Sequence, residues 1–231
     1  MMSTYILQID TATEVCSISL SLDGQVIDQI DAAEPNLHAT KLTLFIDELL
    51  QRTNITYAQL AAVAVSKGPG SYTGLRIGVS TAKGLCYALD IPLLAINTLE
   101  SMYRGFTKSS IQSEVIYVPM LDARRMEVYM MVFNGQGKVV EETKAEIIDA
   151  DTFSDYSNYQ LRLFGSGAAK LKDLLSDQAN IAIDTTYKHS SAYLSAAAFE
   201  KYTNQEFEDL IYFEPYYLKE FIATTPKANK L

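Results

Sequence analysis

The sequence predicts an α/β protein made of two βββαβα units in tandem with a cleft between them. Three observations carry that reading: each half opens with strand periodicity, a helical period follows, and turn signals recur at matching places. Tyr5 to Asp10 is a short apolar run closed by a turn at Thr11 to Thr13. Cys16, Ile18, Leu20 and Leu22 then alternate with Ser17, Ser19 and Ser21, which predicts a half-buried strand. Asp23-Gly24 supplies a hairpin turn whose two positions need positive φ, and Gln25 to Ala32 returns as the third strand. After Pro35 the period becomes helical, with Leu42, Phe45, Ile46, Leu49 and Leu50 on one stripe. Ala61 to Ser66 reads as a buried strand. Thr73 to Leu89 is a helix opening directly after a glycine-rich loop, and Ile91 to Ile96 is one more strand.

The second half repeats the order without visibly repeating the letters. Val115 to Leu121, Met126 to Phe133 and Lys138 to Ile148 are three strands, the last two joined at Gly135-Gln136-Gly137. A polar stretch, Asp149 to Gln160, stands where the first half has its amphipathic helix. Leu161 to Phe164 is then a strand, Ala168 to Leu175 a helix, Ile181 to Ile183 a strand and Ser190 to Tyr202 an alanine-rich helix. The expected division is a first lobe of residues 1–104 with a returning segment 188–231, and a second lobe of 105–187.

Composition limits the function. The chain has 231 residues, 48% apolar and 20% charged, the profile of a folded globular protein. Its 19 basic and 28 acidic side chains leave a net charge of −9, so unaided, sequence-independent binding to a phosphate backbone is not expected. If the protein serves a nucleic acid, a partner must supply the positive surface. No apolar run approaches the roughly 18 residues of a membrane helix, and the start, MMSTYILQID, lacks a basic region and a cleavage site. A cytoplasmic protein with no membrane contact is expected. Cys16 and Cys86 lie in apolar segments and read as small buried hydrophobes.

The segment from Ser66 to Gly78 is the most informative. Gly68, Pro69, Gly70, Ser71, Thr73 and Gly74 form a loop that ends at a helix start, where free N–H groups would favour a nucleotide phosphate. The alternative is a tight turn whose glycines only let the helix pack closely on the sheet. A Walker loop is excluded because Leu75 and Arg76 follow Gly74, and a dinucleotide fingerprint because Thr73 and Asn97 stand where it needs glycine and an acid. Two turns, Asp10-Thr11-Ala12-Thr13 and Asp122-Ala123-Arg124-Arg125, close the first strand of each half. Asp10, Thr11 and Asp122 therefore join the candidate nucleotide-binding set, unless the acids merely accept turn N–H bonds.

The stretches ILQIDTATEVCSISL, GPGSYTGLRIG, DARRMEVY and Pro215-Tyr216-Tyr217-Leu218-Lys219 resemble the bacterial TsaB (YeaZ) family. The resemblance implies an actin-like, hexokinase-like (ASKHA) duplicated fold. It further implies a part in making threonylcarbamoyladenosine at adenosine 37 of tRNAs that read ANN codons. In that system TsaB is the non-catalytic partner of its paralogue TsaD, TsaE is a further ATPase component, and tRNA is reached only through the complex. In the paralogue two histidines four apart on a helix, with a distant aspartate, hold a metal. Here His38 opens the corresponding helix but Leu42 stands four along, so neither a metal site nor catalytic residues are expected. Ala12 stands where active relatives usually have glycine, so the chain is expected to have no cofactor of its own and at most weak ATP binding. His189 reads as a solvated loop residue.

Two rival functions are a self-sufficient actin-like small-molecule kinase and a homodimeric binding module. A protease is excluded for want of a Gly-x-Ser-x-Gly elbow or an HExxH sequence. For a partner surface the candidates are Leu42, Phe45, Ile46 and Leu49 on the first helix and Leu75, Gly78, Val79 and Ala82 on the second. There, Gly74, Gly78 and Ala82 recur every four residues, as a close helix contact requires. The alternative is that both stripes pack on the chain's own sheet. The resemblance implies that these helices meet TsaD, or a second TsaB when TsaD is absent.

Overall fold

The computed structural model describes residues 3–34, 37–108 and 111–219; Pro35 and the tail from Ala223 lie outside the described residues. Two five-stranded sheets carry the molecule. In the first, β1 (Tyr5–Asp10), β2 (Cys16–Leu22), β3 (Gln25–Ala32), β4 (Leu60–Gly68) and β5 (Leu93–Asn97) lie in the order β3-β2-β1-β4-β5. In the second, β6 (Val115–Asp122), β7 (Glu127–Phe133), β8 (Val139–Ile147), β9 (Gln160–Phe164) and β10 (Ile181–Asp184) repeat that order as β8-β7-β6-β9-β10. In each, the first three strands are antiparallel and the last two parallel, so the duplicated actin-like α/β architecture is present in topology and not only in element order.

The first sheet is covered on both faces. Helices α1 (Leu37–Thr53) and α2 (Tyr72–Leu89) pack on the face of Leu7, Ile9, Val63 and Val65. Helix α4 (Ser195–Thr203) covers the other face, its Ala197 and Ala198 against Ile6, Ala62, Ala64, Leu94 and Ile96. Double coverage explains why β1, β4 and β5 are buried along nearly their whole length. It also overturns the half-buried reading of β2, where Ser17, Ser19 and Ser21 are as buried as Cys16, Ile18 and Leu20. The serines are tolerated inside because they are paired: Gln8 Nε2 donates to Ser21 Oγ at 2.6 Å and Ser19 Oγ to Gln8 Oε1 at 3.0 Å. Both cysteines are buried, and burial pushes each thiol up to about 11.

Two elements differ from the sequence reading. Helix α3 (Thr98–Thr107) was not expected, and the boundary placed between 104 and 105 falls inside it. Its signal was the Asn97 cap, whose Oδ1 accepts from Leu99 N at 2.8 Å, but Gly105 and the charged Glu100 and Arg104 interrupt the apolar period. Leu99, Met102 and Tyr103 of α3 pack on the second sheet against Tyr117, Phe133 and Phe164. The helix expected over Ala168 to Leu175 is instead a 3-10 turn at Ala169–Leu171 followed by further turns. Leu171 and Leu175 still reach the core, so the apolar spacing recorded burial rather than helix.

The close seat of α2 is made possible by glycine. A Cβ at Gly74 would lie 2.0 Å from the Thr11 carbonyl oxygen, and one at Gly78 would lie 2.2 Å from Thr11 Oγ1. That hydroxyl donates to the Gly74 carbonyl at 2.7 Å. Gly84, on the opposite face of α2, has open space beyond it. Replacing Gly74 by Ala is therefore expected to remove about 2–3 kcal/mol of stability, whereas Gly84→Ala gains roughly 0.5–1 kcal/mol through helix propensity. Denaturant unfolding of the two variants checks the contrast.

Candidate functional site

The C-terminal end of β1, the central strand of the first sheet, meets the start of α2. Ser71 caps the helix, its Oγ accepting from Gly74 N at 3.2 Å. Its own N–H donates to the Ala12 carbonyl at 2.7 Å, and Leu75 N to Ser71 O at 2.8 Å. Ala12 N donates to Asp10 Oδ1 at 2.9 Å. The structure thus brings Asp10, Thr11, Gly70, Ser71 and Gly74 together, with four of the local N–H groups bonded inside the chain. Gly68 and Pro69 are buried, joined by a cis peptide, while Ser71 and Thr73 are exposed.

Asp10 does not stand open in a cleft. It is wholly buried, and its Oδ2 is 2.7 Å from His189 Nε2. His189, read from sequence as a solvated loop residue, is only 8% exposed. Its Nδ1 lies 3.3 Å from Tyr187 Oη, so both ring nitrogens are engaged. Burial pushes the Asp10 carboxyl up, but the charge and hydrogen bond of His189, helped by the Ala12 N–H, outweigh it and hold the group below the ordinary carboxylate value. Sequence inspection missed this pair because its members lie 179 residues apart. Beside it, Ser17 Oγ donates to Asp31 Oδ1 at 2.5 Å, Ser190 Oγ to the same oxygen at 3.0 Å, and Ser191 N to Ser17 Oγ at 2.6 Å.

The second turn is different. Asp122 is exposed; its Oδ1 accepts from Arg124 N at 2.9 Å and from Lys170, and its N–H donates to Ser166 Oγ at 3.2 Å. It is engaged entirely within its own lobe. Partial burial raises its carboxyl, and Lys170, then Arg124, bring it below the ordinary value.

The partner-surface candidates are corrected by burial. Leu42, Ile46, Leu49, Leu75, Val79 and Ala82 are each at most 4% exposed and belong to the chain's own core, and Gly78 is buried under Thr11. A side chain without accessible surface offers nothing to a partner, so of that set only Phe45 retains partial exposure. What faces outward is a different four-residue repeat on α2, Ser80, Gly84 and Ala88, beside Tyr87, with Leu44 exposed on α1. His38 makes no metal-ligand pair: Leu42 is in the core, and His38 Nε2 lies 2.9 Å from the Thr13 carbonyl oxygen. Among the described residues, no group of three or more His, Cys, Asp or Glu side chains is placed to hold a metal. No described helix is long and apolar enough to cross a membrane.

The C-terminal stretch supplies a feature that sequence reading left without a role. Lys83 Nζ donates to the carbonyls of Ile211 and Phe213 at 3.2 and 3.0 Å. Tyr216 N donates to Lys67 O at 2.7 Å, and the Tyr72 and Tyr217 rings stand 4.8 Å apart. Arg76 Cζ lies 4.3 Å from the centre of the Tyr72 ring, and its Nε donates to Tyr217 Oη at 3.2 Å. Lys219 then pairs with Glu127 of the second lobe. This strap runs over the glycine loop from one lobe to the other.

Two lobes of repeated topology, with the central strands ending beside paired turns, define an actin-like (ASKHA) protein. A family model described as TsaD: tRNA N6-adenosine threonylcarbamoyltransferase matches residues 32–230. The chain is 33% identical over 143 residues to the tRNA threonylcarbamoyladenosine biosynthesis protein TsaB of Escherichia coli (strain K12), covering 61% of each protein. It is 32% identical over 137 residues to TsaB of Bacillus subtilis (strain 168), covering 59% of this chain and 58% of that one. These alignments span about 60% of the relatives' length. A solved Pseudomonas aeruginosa protein described as similar to peptidase YEAZ superposes with a TM-score of 0.76 at 25% identity, covering 95% of this chain and all of the other. YeaZ from the same organism gives 0.75 at 24%, covering 93% of this chain and all of the other. The chain belongs to the TsaB (YeaZ) family.

Removing the imidazole should leave a buried, unpaired carboxylate, and His189→Ala is expected to cost about 3–5 kcal/mol at neutral pH. In the native chain the lowered Asp10 value makes its contribution complete above about pH 4 and lost only as the pH falls through that lower value. In the variant, burial alone raises the carboxyl, so the sign reverses. Its deficit against the Asp10→Asn/His189→Ala double variant should be largest near pH 7 and shrink toward about pH 4. Denaturant titrations at several pH values check both the size and the direction.

Proposed function

We propose that the chain is the non-catalytic scaffold subunit of the tRNA threonylcarbamoyl transferase complex. In this reading it binds TsaD, with TsaE as a further component, in forming threonylcarbamoyladenosine at adenosine 37 of ANN-decoding tRNAs. The observation that carries the reading is that the candidate nucleotide- and metal-binding groups are engaged within the chain itself. Asp10 is clasped by His189, and His38 leans on the Thr13 carbonyl with an apolar core residue four positions on. The loop N–H groups bonded to Ser71 and Ala12 are likewise occupied, which supports weak ATP binding at most and no cofactor of its own. These same features speak against the self-sufficient kinase, which would need that carboxylate and those amides for a nucleotide.

The partner surface in this proposal is the outward face of α2, Ser80, Gly84 and Ala88, extended by the exposed Leu44 and the half-buried Phe45 of α1. Small residues at a four-residue interval let a second helix approach closely, and the neighbouring apolar side chains give it something to bury. The same face accounts for a homodimer when TsaD is absent.

Reconstitution with TsaD, TsaE and threonylcarbamoyl-adenylate tests the proposal. Modification is expected to need both TsaD and this chain; turnover by this chain alone, or TsaD equally active without it, overturns the scaffold role. Gly84→Leu should leave the monomer folded and weaken co-elution with TsaD at least tenfold. Full co-elution of a folded Gly84→Leu chain would move the docking face elsewhere.

A further inference from the structure

The turn between β6 and β7 carries two arginines side by side. Arg124 and Arg125 are exposed and both have positive φ, +74° and +53°, a conformation that side-chain-bearing residues adopt at a cost of roughly 1–2 kcal/mol each. The turn is held firmly. Asp122 Oδ1 accepts Arg124 N, Glu127 N donates to Arg124 O at 3.2 Å, and Ala123 N to Glu127 O at 3.1 Å. Asparagine and glycine would suit such a backbone better, yet the sequence places two guanidinium groups there.

Neither charge is taken up by an ion pair. Arg52 and Arg104 sit in ion pairs and Arg76 lies on Tyr72, but neither Arg124 nor Arg125 is within ion-pair distance of a carboxylate among the described residues. The two acids of the turn are already matched, Asp122 by Lys170 and Glu127 by Lys219. A chain of net charge −9 therefore presents a small tip with two surplus positive charges, flanked by Met126 at 39% exposure.

We propose that the Arg124–Arg125 tip grips the phosphodiester backbone of an RNA, an inference that rests on the role in tRNA modification argued above. The forked guanidinium matches a phosphate in bidentate fashion, and a pre-set turn loses little freedom on binding. The size of the tip decides between RNA and an acidic protein face. A protein interface of about 800 Å² per partner would need far more surface than this tip offers. Two neighbouring phosphates of a strand need only the tip, while a partner subunit supplies the remaining positive surface.

The test uses the full chain, ¹⁵N-labelled, in complex with unlabelled TsaD at low ionic strength. Titration with a short single-stranded RNA is expected to shift the Nε–H signals of Arg124 and Arg125 saturably and to leave that of the ion-paired Arg104 in place. The Arg124→Asn/Arg125→Gly variant, which suits the turn and so keeps the fold, should bind at least several-fold more weakly. Its slope of log affinity against log salt should be shallower by about 1.4, the value for two single-strand phosphate contacts. No shift, undiminished RNA affinity in the variant, or equal affinity for a polyglutamate peptide of the same charge overturns the proposal. Co-elution with TsaD is measured separately: its failure removes the scaffold role, whereas lost shifts with co-elution intact remove this contact alone.

Discussion

The close approach of α2 to the end of β1 is the constraint from which most of the site follows. The Thr11 backbone and hydroxyl fill the space that side chains at Gly74 and Gly78 would need, so the helix sits against the strand turn with no layer between. Once it is there, Ser71 N meets the Ala12 carbonyl, and the inner stripe of Leu75, Val79 and Ala82 becomes core. Glycines that suggest an anion cradle are thereby occupied in packing. The same seating turns Ser80, Gly84 and Ala88 outward, so one close contact sets both what is hidden and what is offered.

A buried carboxylate at the end of a central strand needs a counter-charge or a proton, because burying an unpaired ion is prohibitive. In this chain the counter-group comes from within: His189, on the segment that returns from β10 to the first lobe. The Ser17, Asp31 and Ser190 bonds fasten the same segment to β2 and β3 a short way along. The carboxylate at the end of the central strand is here part of what joins the lobes. Tyr187 extends the link, standing 5.3 Å from Phe164 of the second sheet. A site that has become a joint is compatible with a subunit whose task is to hold shape for a partner.

Much of this was legible in the sequence, for identifiable reasons. Strand alternation, short apolar runs and turn residues located all ten strands, since each of these is a local signal. The stripe on α1 and the glycine repeat on α2 were visible too, but periodicity names a face without naming what lies against it. Hence Gly74, Gly78 and Ala82 read as a docking groove when Thr11 of the same chain lies against the two glycines and Ala82 is core. The Asp10–His189 pair and the strap from Ile211 to Lys219 were invisible for a different reason. Each joins residues far apart in sequence, Arg76 and Tyr217 being 141 positions distant, and no local pattern encodes such a meeting.

The two lobes have kept the same sheet and divided the rest. The first carries α1 and α2, of 17 and 18 residues, whereas the matching stretches of the second are short 3-10 turns at Ser154–Tyr156 and Ala169–Leu171. A long helix offers a broad, regular face suited to another helix; a lobe of strands and tight turns offers points instead. In the proposed reading, partner docking falls to the first lobe and local, charged contact to the second, where Arg124 and Arg125 project from a turn whose acids are already neutralised. The strap then has a physical purpose. By tying Lys67 and Arg76 of one lobe to Glu127 of the other, it fixes the charged turn relative to α2, so that the two surfaces proposed for binding are held in register.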